Sequence, residues 1–294
     1  MSSSDGASSK FDASADSATG STPLRRPLRV IIYCGGPELE DGLREFICRL
    51  EEEPRVEVLR AYREFRDGEG LRGMCADLWR RRGVFAVPIL LSRFLGTMTN
   101  ALRRTPHDSR SRAAVSVASD RIVCVDDLHA KRVVDEVREL APDLGLVYGG
   151  PILKSSLFEI PAHGTLGIHH GAVPAYRGKK TTFWAVYNEE ATAGVTIQRL
   201  GRGVDTGDVV KAGSVRIDGR LPASVFRDLE SLGVDLYVAA VLEVRDGTAE
   251  YQPQRGPPGR LYRDPGVRDW LVLLFRRFLA LARGGSGRRV EESR

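Results

Sequence analysis

The chain has 294 residues, 42% of them hydrophobic and 28% charged, with a net charge of +5. That is ample for a hydrophobic core, and no apolar run approaches the roughly 20 residues a transmembrane helix needs. Residues 255–294 hold ten arginines against four acidic residues, a surplus larger than the whole chain's net charge. The main body is therefore near neutral and offers no case for nucleic-acid binding. Four cysteines (Cys34, Cys48, Cys75, Cys124) lie far apart with no metal-ligand spacing. They read as small buried hydrophobes in a reducing, cytoplasmic setting, with no metal site expected. The N-terminus is rich in Ser, Ala, Asp and Gly and has no apolar signal segment, so residues 1–26 are expected to form a disordered tail.

In chain order, residues 28–34 form a β-branched strand broken by Gly35, Gly36 and Pro37, and a helical pattern runs from about Glu38 to Glu52. This strand–turn–helix opens a doubly wound sheet, although Gly35-Gly36 is neither a dinucleotide fingerprint nor a Walker loop. A second strand is expected over 55–60, a basic helix near 71–82, an apolar segment over Val84–Leu95 and a polar loop over 100–115. Then come a strand at Arg121–Val125, a helix at His129–Leu140 closed by Pro142, and a strand at Leu144–Tyr148 ended by Gly149-Gly150-Pro151. A short helix over 152–159 turns Ile152, Leu153, Leu157 and Phe158 inward, and Thr165–His169 is the next strand. Phe183–Asn188 is helical, Gly194–Leu200 and Asp208–Arg216 read as a hairpin, and Pro222–Val244 is a long amphipathic helix. Alternating strands and helices imply a mostly parallel α/β sheet flanked by helices, spanning 27–255.

The rest, 256–294, reads as an appendage: a Gly256-Pro257-Pro258-Gly259 turn, a helix over 267–283 and a frayed Gly/Arg tail. The helix carries Trp270, Leu271, Leu274, Phe275, Phe278 and Leu281, while Arg268, Asp269, Arg276, Arg277 and Arg283 share one half of its wheel. Two uses remain open: docking on its own domain or a dimer mate, or lying on an anionic membrane surface.

Two segments carry the chemistry. Thr165–His169 delivers His169 to a loop held by Pro174 and Gly178, and Gly203-Val204-Asp205-Thr206-Gly207 is a glycine-flanked turn carrying Asp205. In a parallel sheet ligands collect beyond the carboxyl ends of strands, so a histidine and a carboxylate on two such loops can face one crevice and move a proton. Arg177, Lys179 and Lys180 form a basic cluster just past the first loop, suited to an anionic group or to plain solvation.

Gly167-Ile168-His169 through Pro174-Ala175-Tyr176-Arg177-Gly178, followed by Asp205-Thr206-Gly207, resembles the Asn-x-His-x-x-x-x-Pro and Asp-x-Gly motifs of the 10-formyltetrahydrofolate-dependent formyltransferases. Phe183-Trp184-Ala185-Val186, Gly194-Val195-Thr196-Ile197 and Pro142–Gly150 add to the likeness, which is clear over about 120–255. The resemblance implies a Rossmann-like formyltransferase fold and transfer of a formyl group from 10-formyltetrahydrofolate to a primary amine. It assigns His169 to proton movement and Asp205 to orienting His169. It points to Tyr148, Gly149, Pro151, Ile152, Tyr176 and Arg177 as residues toward the folate. The family's asparagine, which hydrogen-bonds the developing oxyanion, is replaced by Gly167. Losing one such donor costs about 10²–10³ in rate. Three readings follow: another donor serves, His170 being nearest; the enzyme performs an altered acyl transfer, such as formyl hydrolysis; or the site is a folate- or metabolite-binding module without catalysis. The methionyl-tRNA members of the family add a C-terminal β-barrel for which 256–294 is too short and too helical. A small amine acceptor such as an amino sugar is therefore expected, with no nucleic acid, and a homodimer is open.

Overall fold

The computed structural model describes residues 24–36, 39–65, 121–150 and 152–284. The features expected within 1–23, 71–82, 84–95, 100–115 and 285–294 lie outside the described residues.

Nine strands and six helices are described: β1 (Leu28–Gly35), α1 (Asp41–Glu52), β2 (Val56–Glu64), β3 (Ile122–Val125), α2 (Lys131–Leu140), β4 (Leu144–Tyr148), α3 (Ser155–Phe158), β5 (Thr165–His169), β6 (Tyr176–Gly178), α4 (Thr181–Tyr187), β7 (Thr192–Arg199), β8 (Val209–Arg216), α5 (Pro222–Asp246), β9 (Arg260–Tyr262) and α6 (Val267–Gly284). Seven strands form one sheet in the order β3-β2-β1-β4-β5-β7-β8. The five strands from β3 to β5 are parallel, and β7 and β8 close the sheet antiparallel. The direction of winding reverses between β1 and β4, so the carboxyl ends of β1, β4 and β5 share one edge, where α/β sheets bind ligands.

Period-2 alternation sends β1's side chains to both faces, and both are covered. On one face α1 and α5 pack Phe46 and Tyr237, ring centroids 4.4 Å apart, over Val30, Ile32 and Leu146. On the other, α2 and α3 pack Val137, Leu157 and Phe158 over Ile31 and Tyr33. A third cluster joins Phe183, Val195, Val225 and Leu273 from α4, β7, α5 and α6. Helix α5 starts on Pro222, whose missing N–H costs nothing in a first turn, and ends at Gly247 in the left-handed region (φ 70°). Tyr237 ties it to the sheet: its hydroxyl accepts from Val147 N–H (3.0 Å) and donates to the Leu166 carbonyl (2.8 Å).

The differences from the sequence reading have physical causes. Residues 24–26 belong to the domain, not to a tail: Leu24 N–H donates to Arg245, and Arg26 grips Asp143 through both guanidinium nitrogens at 2.6 and 2.7 Å. The 152–159 helix contracts to Ser155–Phe158 and leaves Ile152 77% exposed, because one turn of helix buries only Leu157 and Phe158, with Leu153 behind them. The appendage contains β9, which pairs in parallel with β6, an element too short to show a period.

Two tests follow. Tyr237→Phe strands a buried N–H and a buried carbonyl, and should cost about 1–3 kcal/mol in urea unfolding. Glu230 of α5 accepts from Gly42 N–H in the first turn of α1, and burial, then Glu40 and Asp41, push its carboxyl up to about 7. A carboxyl whose affinity for a proton rises on folding stabilises below the ordinary glutamate range and loses that contribution as pH rises toward 7. Glu230→Gln should therefore raise the melting temperature above neutral pH and leave it little changed in acid, as scanning calorimetry at the two extremes will show.

Candidate functional site

His169 is the last residue of β5 and is only 9% exposed. Its Nε2 lies 2.8 Å from the Tyr176 carbonyl, across the loop that follows the strand. A carbonyl only accepts, so Nε2 carries a proton. Nδ1 faces Asp205 Oδ1 at 3.5 Å. This arrangement needs Gly171, because a Cβ there would collide with both the imidazole Nε2 and the Tyr176 carbonyl. The loop is drawn tight by Tyr176 N–H to Ala172 O (2.8 Å) and Thr196 Oγ1 to Gly171 O (2.8 Å), and contains a cis Val173-Pro174 bond.

Asp205 sits in the connection between β7 and β8 with a positive φ of 51°, a region costing about 1 kcal/mol for a non-glycine residue. Its carboxylate is held from two sides: Gly178 N–H donates to Oδ2 (2.7 Å) and the Gln198 amide to Oδ1 (3.1 Å). The backbone of the turn is gripped too. Arg177 donates to the Val204 carbonyl from Nε (3.0 Å) and Nη2 (2.6 Å). Gln254 Nε2 contacts the Gln198 amide oxygen (3.3 Å), the Asp205 carbonyl (3.0 Å) and the Gly207 carbonyl (2.8 Å). A Cβ on Gly207 would run into the Arg199 carbonyl, so the turn closes only with glycine there.

The register explains the grouping. β5 and β7 pair antiparallel with Gly167 opposite Gln198 and His169 opposite Thr196, so these four share one face of the sheet. His170 does not join them. One residue on, its ring turns to α5 and packs on Phe226 at 4.7 Å, its Nε2 buried without a partner. Burial, then His169 and Lys180, hold its pKa down at about 4. It stands away from Gly167 and supplies no donor there. Nor is the space at Gly167 open, since a Cβ would lie 2.8 Å from Leu200 Cδ1.

Of the residues expected toward the folate, Tyr148 is in the core, 2% exposed, with its ring 5.7 Å from Phe46. Strand alternation points it at α1 and α5, so it presents no ring to a ligand. Gly149 turns the chain there (φ 58°), and the neighbouring Ile152 is open. Pro151 lies outside the described residues. Tyr176 is engaged through its hydroxyl with Glu190 (2.7 Å) and Asn188 (3.0 Å), and its ring stacks on Tyr262 at 5.1 Å. Arg177 serves the Asp205 turn, and Lys179 pairs with Asp264 (3.6 Å). Among the described residues no group of His, Cys, Asp and Glu has the makings of a metal site, and no helix is long and apolar enough to cross a membrane.

Gln198, Gln254 and Thr196 were not singled out from the sequence. Thr196 and Gln198 stand two apart in an apolar strand and are 1% and 6% exposed, a signal of a polar face turned to a buried partner. Gln254, 49 residues past Asp205, gives no local signal at all.

Residues 101–241 match the family model for formyl transferase. A methionyl-tRNA formyltransferase of Agathobacter rectalis is 33% identical over 143 residues, 47% of this chain and 46% of that one. The chain thus spans about half the length of the curated relatives it matches. Two solved structures have the same fold: a sugar N-formyltransferase from Shewanella (TM-score 0.54, 14% identity, 84% of this chain and 87% of that one) and WlaRD, a sugar 3N-formyl transferase solved with dTDP and 5-N-formyl-THF (0.51, 12%, 85% and 79%).

Gln254 holds the Asp205 turn without standing in it. Gln254→Ala should lower stability by about 1–2 kcal/mol in chemical denaturation, the loss expected of a few partly buried hydrogen bonds.

Proposed function

We propose that this chain, built around a formyl transferase segment, moves the formyl group of 10-formyltetrahydrofolate onto the primary amine of a small molecule such as an amino sugar. The observation that carries the reading is the His169–Asp205 pair, with Nδ1 directed at a carboxylate clamped by Gly178 and Gln198. The folate is a substrate that supplies the formyl carbon. Gly149, where no Cβ stands in the way, and the open Ile152 fit a ring beyond the carboxyl end of β4.

In this reading the amine nitrogen attacks the formyl carbon, a new C–N bond forms, and the bond to the folate nitrogen breaks. The proton lost by the amine passes to His169 Nδ1, and Asp205 stabilises the imidazolium. The same proton then goes to the departing folate nitrogen. Proton transfer of this kind is worth about 10²–10⁴ in rate.

The oxyanion donor cannot come from Gly167, and His170 faces elsewhere. Gln198 is opposite Gly167 on the same face, and its Nε2 has two hydrogens, one of them on Asp205. The other is the side-chain donor best placed to take over the asparagine's role. A methionyl-tRNA acceptor is the second reading, favoured by the 33% identity to the Agathobacter enzyme.

Release of tetrahydrofolate from 10-formyltetrahydrofolate, measured with a panel of nucleotide-linked amino sugars and with methionyl-tRNA, separates the two. Turnover with the sugar amines alone is the expected result. Folate binding with no transfer to any amine would leave a binding module, and formate release without an amine would mean hydrolysis. Where turnover is found, His169→Ala should lower kcat by about 10²–10⁴ and Gln198→Ala by about 10²–10³. Introducing Gly167→Asn with Leu200→Ala into the Gln198→Ala protein should recover part of that loss. No recovery would remove Gln198 from the oxyanion role.

A further inference from the structure

Helix α6 reverses the expectation for an amphipathic helix packed on its own domain. The side turned inward holds Val272, Leu273 and Leu279 together with Asp269 and Arg277, while Arg276 stays exposed at its edge. Leu273, 2% exposed, is its apolar anchor, and Arg276 Nη1 donates to the Tyr187 carbonyl (3.2 Å) with its guanidinium 5.2 Å from the Tyr187 ring centre. Asp269 accepts from Gly266 N–H (2.7 Å) at the helix start. The opposite side holds Trp270, Leu271, Leu274, Phe275 and Phe278, from 42% to 67% exposed, five of the nine exposed large hydrophobic residues described. Trp270 reaches the body at the border of this face, its ring 4.5 Å from Phe183.

The borders of this face are basic. At about 100° per residue, Arg268 and Arg277 lie half a turn apart, and the five apolar residues fill the half-wheel between them. Neither arginine makes an ion pair among the described residues. The single acidic residue of α6, Asp269, is on the inward side and engaged. A second copy of the helix would bring arginine borders against arginine borders with no carboxylate to answer them. An anionic surface answers both: long arginine side chains lay their stems along apolar ground and raise their charges to the phosphate level. The charge of the chain is concentrated in the same place, with ten arginines in 255–294 and a near-neutral remainder.

We infer that α6 is a membrane-surface anchor: its Leu271/Leu274/Phe275/Phe278 face seats in the interface of an anionic lipid bilayer, with Arg268 and Arg277 at the headgroups. The helix lies on the membrane and does not cross it, and the sheet and its site remain on the aqueous side.

Flotation of the full chain with vesicles tests this. The protein should rise with mixed phosphatidylcholine–phosphatidylglycerol vesicles at low salt, much less with pure phosphatidylcholine, and progressively less as salt is added. Phe275→Ser with Phe278→Ser should weaken partitioning by about a hundredfold or more. Arg268→Gln with Arg277→Gln should weaken it by about thirtyfold. The phenylalanine variant should melt at the parent's temperature, since both rings already face water, and Arg268→Gln alone, at an exposed position, should do the same while still weakening partitioning. No flotation with anionic vesicles overturns the inference, as does equal, salt-independent binding to both vesicle types. Light scattering that finds a dimer converted to monomer by the phenylalanine variant would assign the face to a second copy instead.

Discussion

Everything at the candidate site hangs on the Asp205 carboxylate. Three parts of the chain meet there: Gly178 of β6 and Gln198 of β7 donate to it, and His169 of β5 faces it. A backbone in the left-handed region does not hold itself, and the cost of about 1 kcal/mol is offset by several hydrogen bonds worth about 1 kcal/mol each. These include the grip of Arg177 and Gln254 on the turn's own carbonyls. The outcome is a carboxylate fixed before any substrate arrives. A fixed charge stabilises an imidazolium without reorganising during the reaction, which is where preorganised sites gain over water.

The two adjacent histidines show how strand geometry divides chemistry. One residue along β5 reverses the side of the sheet, so His169 meets a carboxylate while the next ring meets Phe226. The second imidazole is desolvated with no anion to favour its charged form, and it stays neutral well below the usual histidine range. Its carbonyl, in turn, accepts from Thr181 at the head of α4. Sequence proximity to Gly167 therefore counted for little beside register, which brings Gln198 to the position directly opposite.

Much of the fold was legible because its strands are β-branched runs closed by Gly, Pro or Asp. β1, β4 and β5 emerge within a residue of their observed ends. The pairing of β6 with β9 was not, since three-residue strands carry no period and the partners are more than 80 residues apart. His169 and Asp205 were legible from their loops, but the polar groups that fix them were not. Gln198 and Gln254 act through contacts that no local pattern encodes. The burial of Tyr148 was open for a related reason: ending a strand does not tell which face its side chain takes. The same limit applies to α6, whose periodicity marks an apolar half without saying whether that half meets the protein or the outside.

Magnitudes decide what Gly167 means for the site. A single missing oxyanion donor costs about 2.7–4 kcal/mol, whereas a positioned acid–base pair contributes about 10²–10⁴ in rate. The two are of similar size, so an otherwise intact pair does not become inert when one donor goes. A decayed site would be expected to lose its costly features first, such as the left-handed Asp205 and the close approaches at Gly171 and Gly207. All three are present, together with a half-buried amide network of Gln198 and Gln254. Leu200 filling the space beside Gly167 fits the same view. In the proposed reading, the donor role of that position falls to Gln198 across the strand pair, whose amide already donates to Asp205.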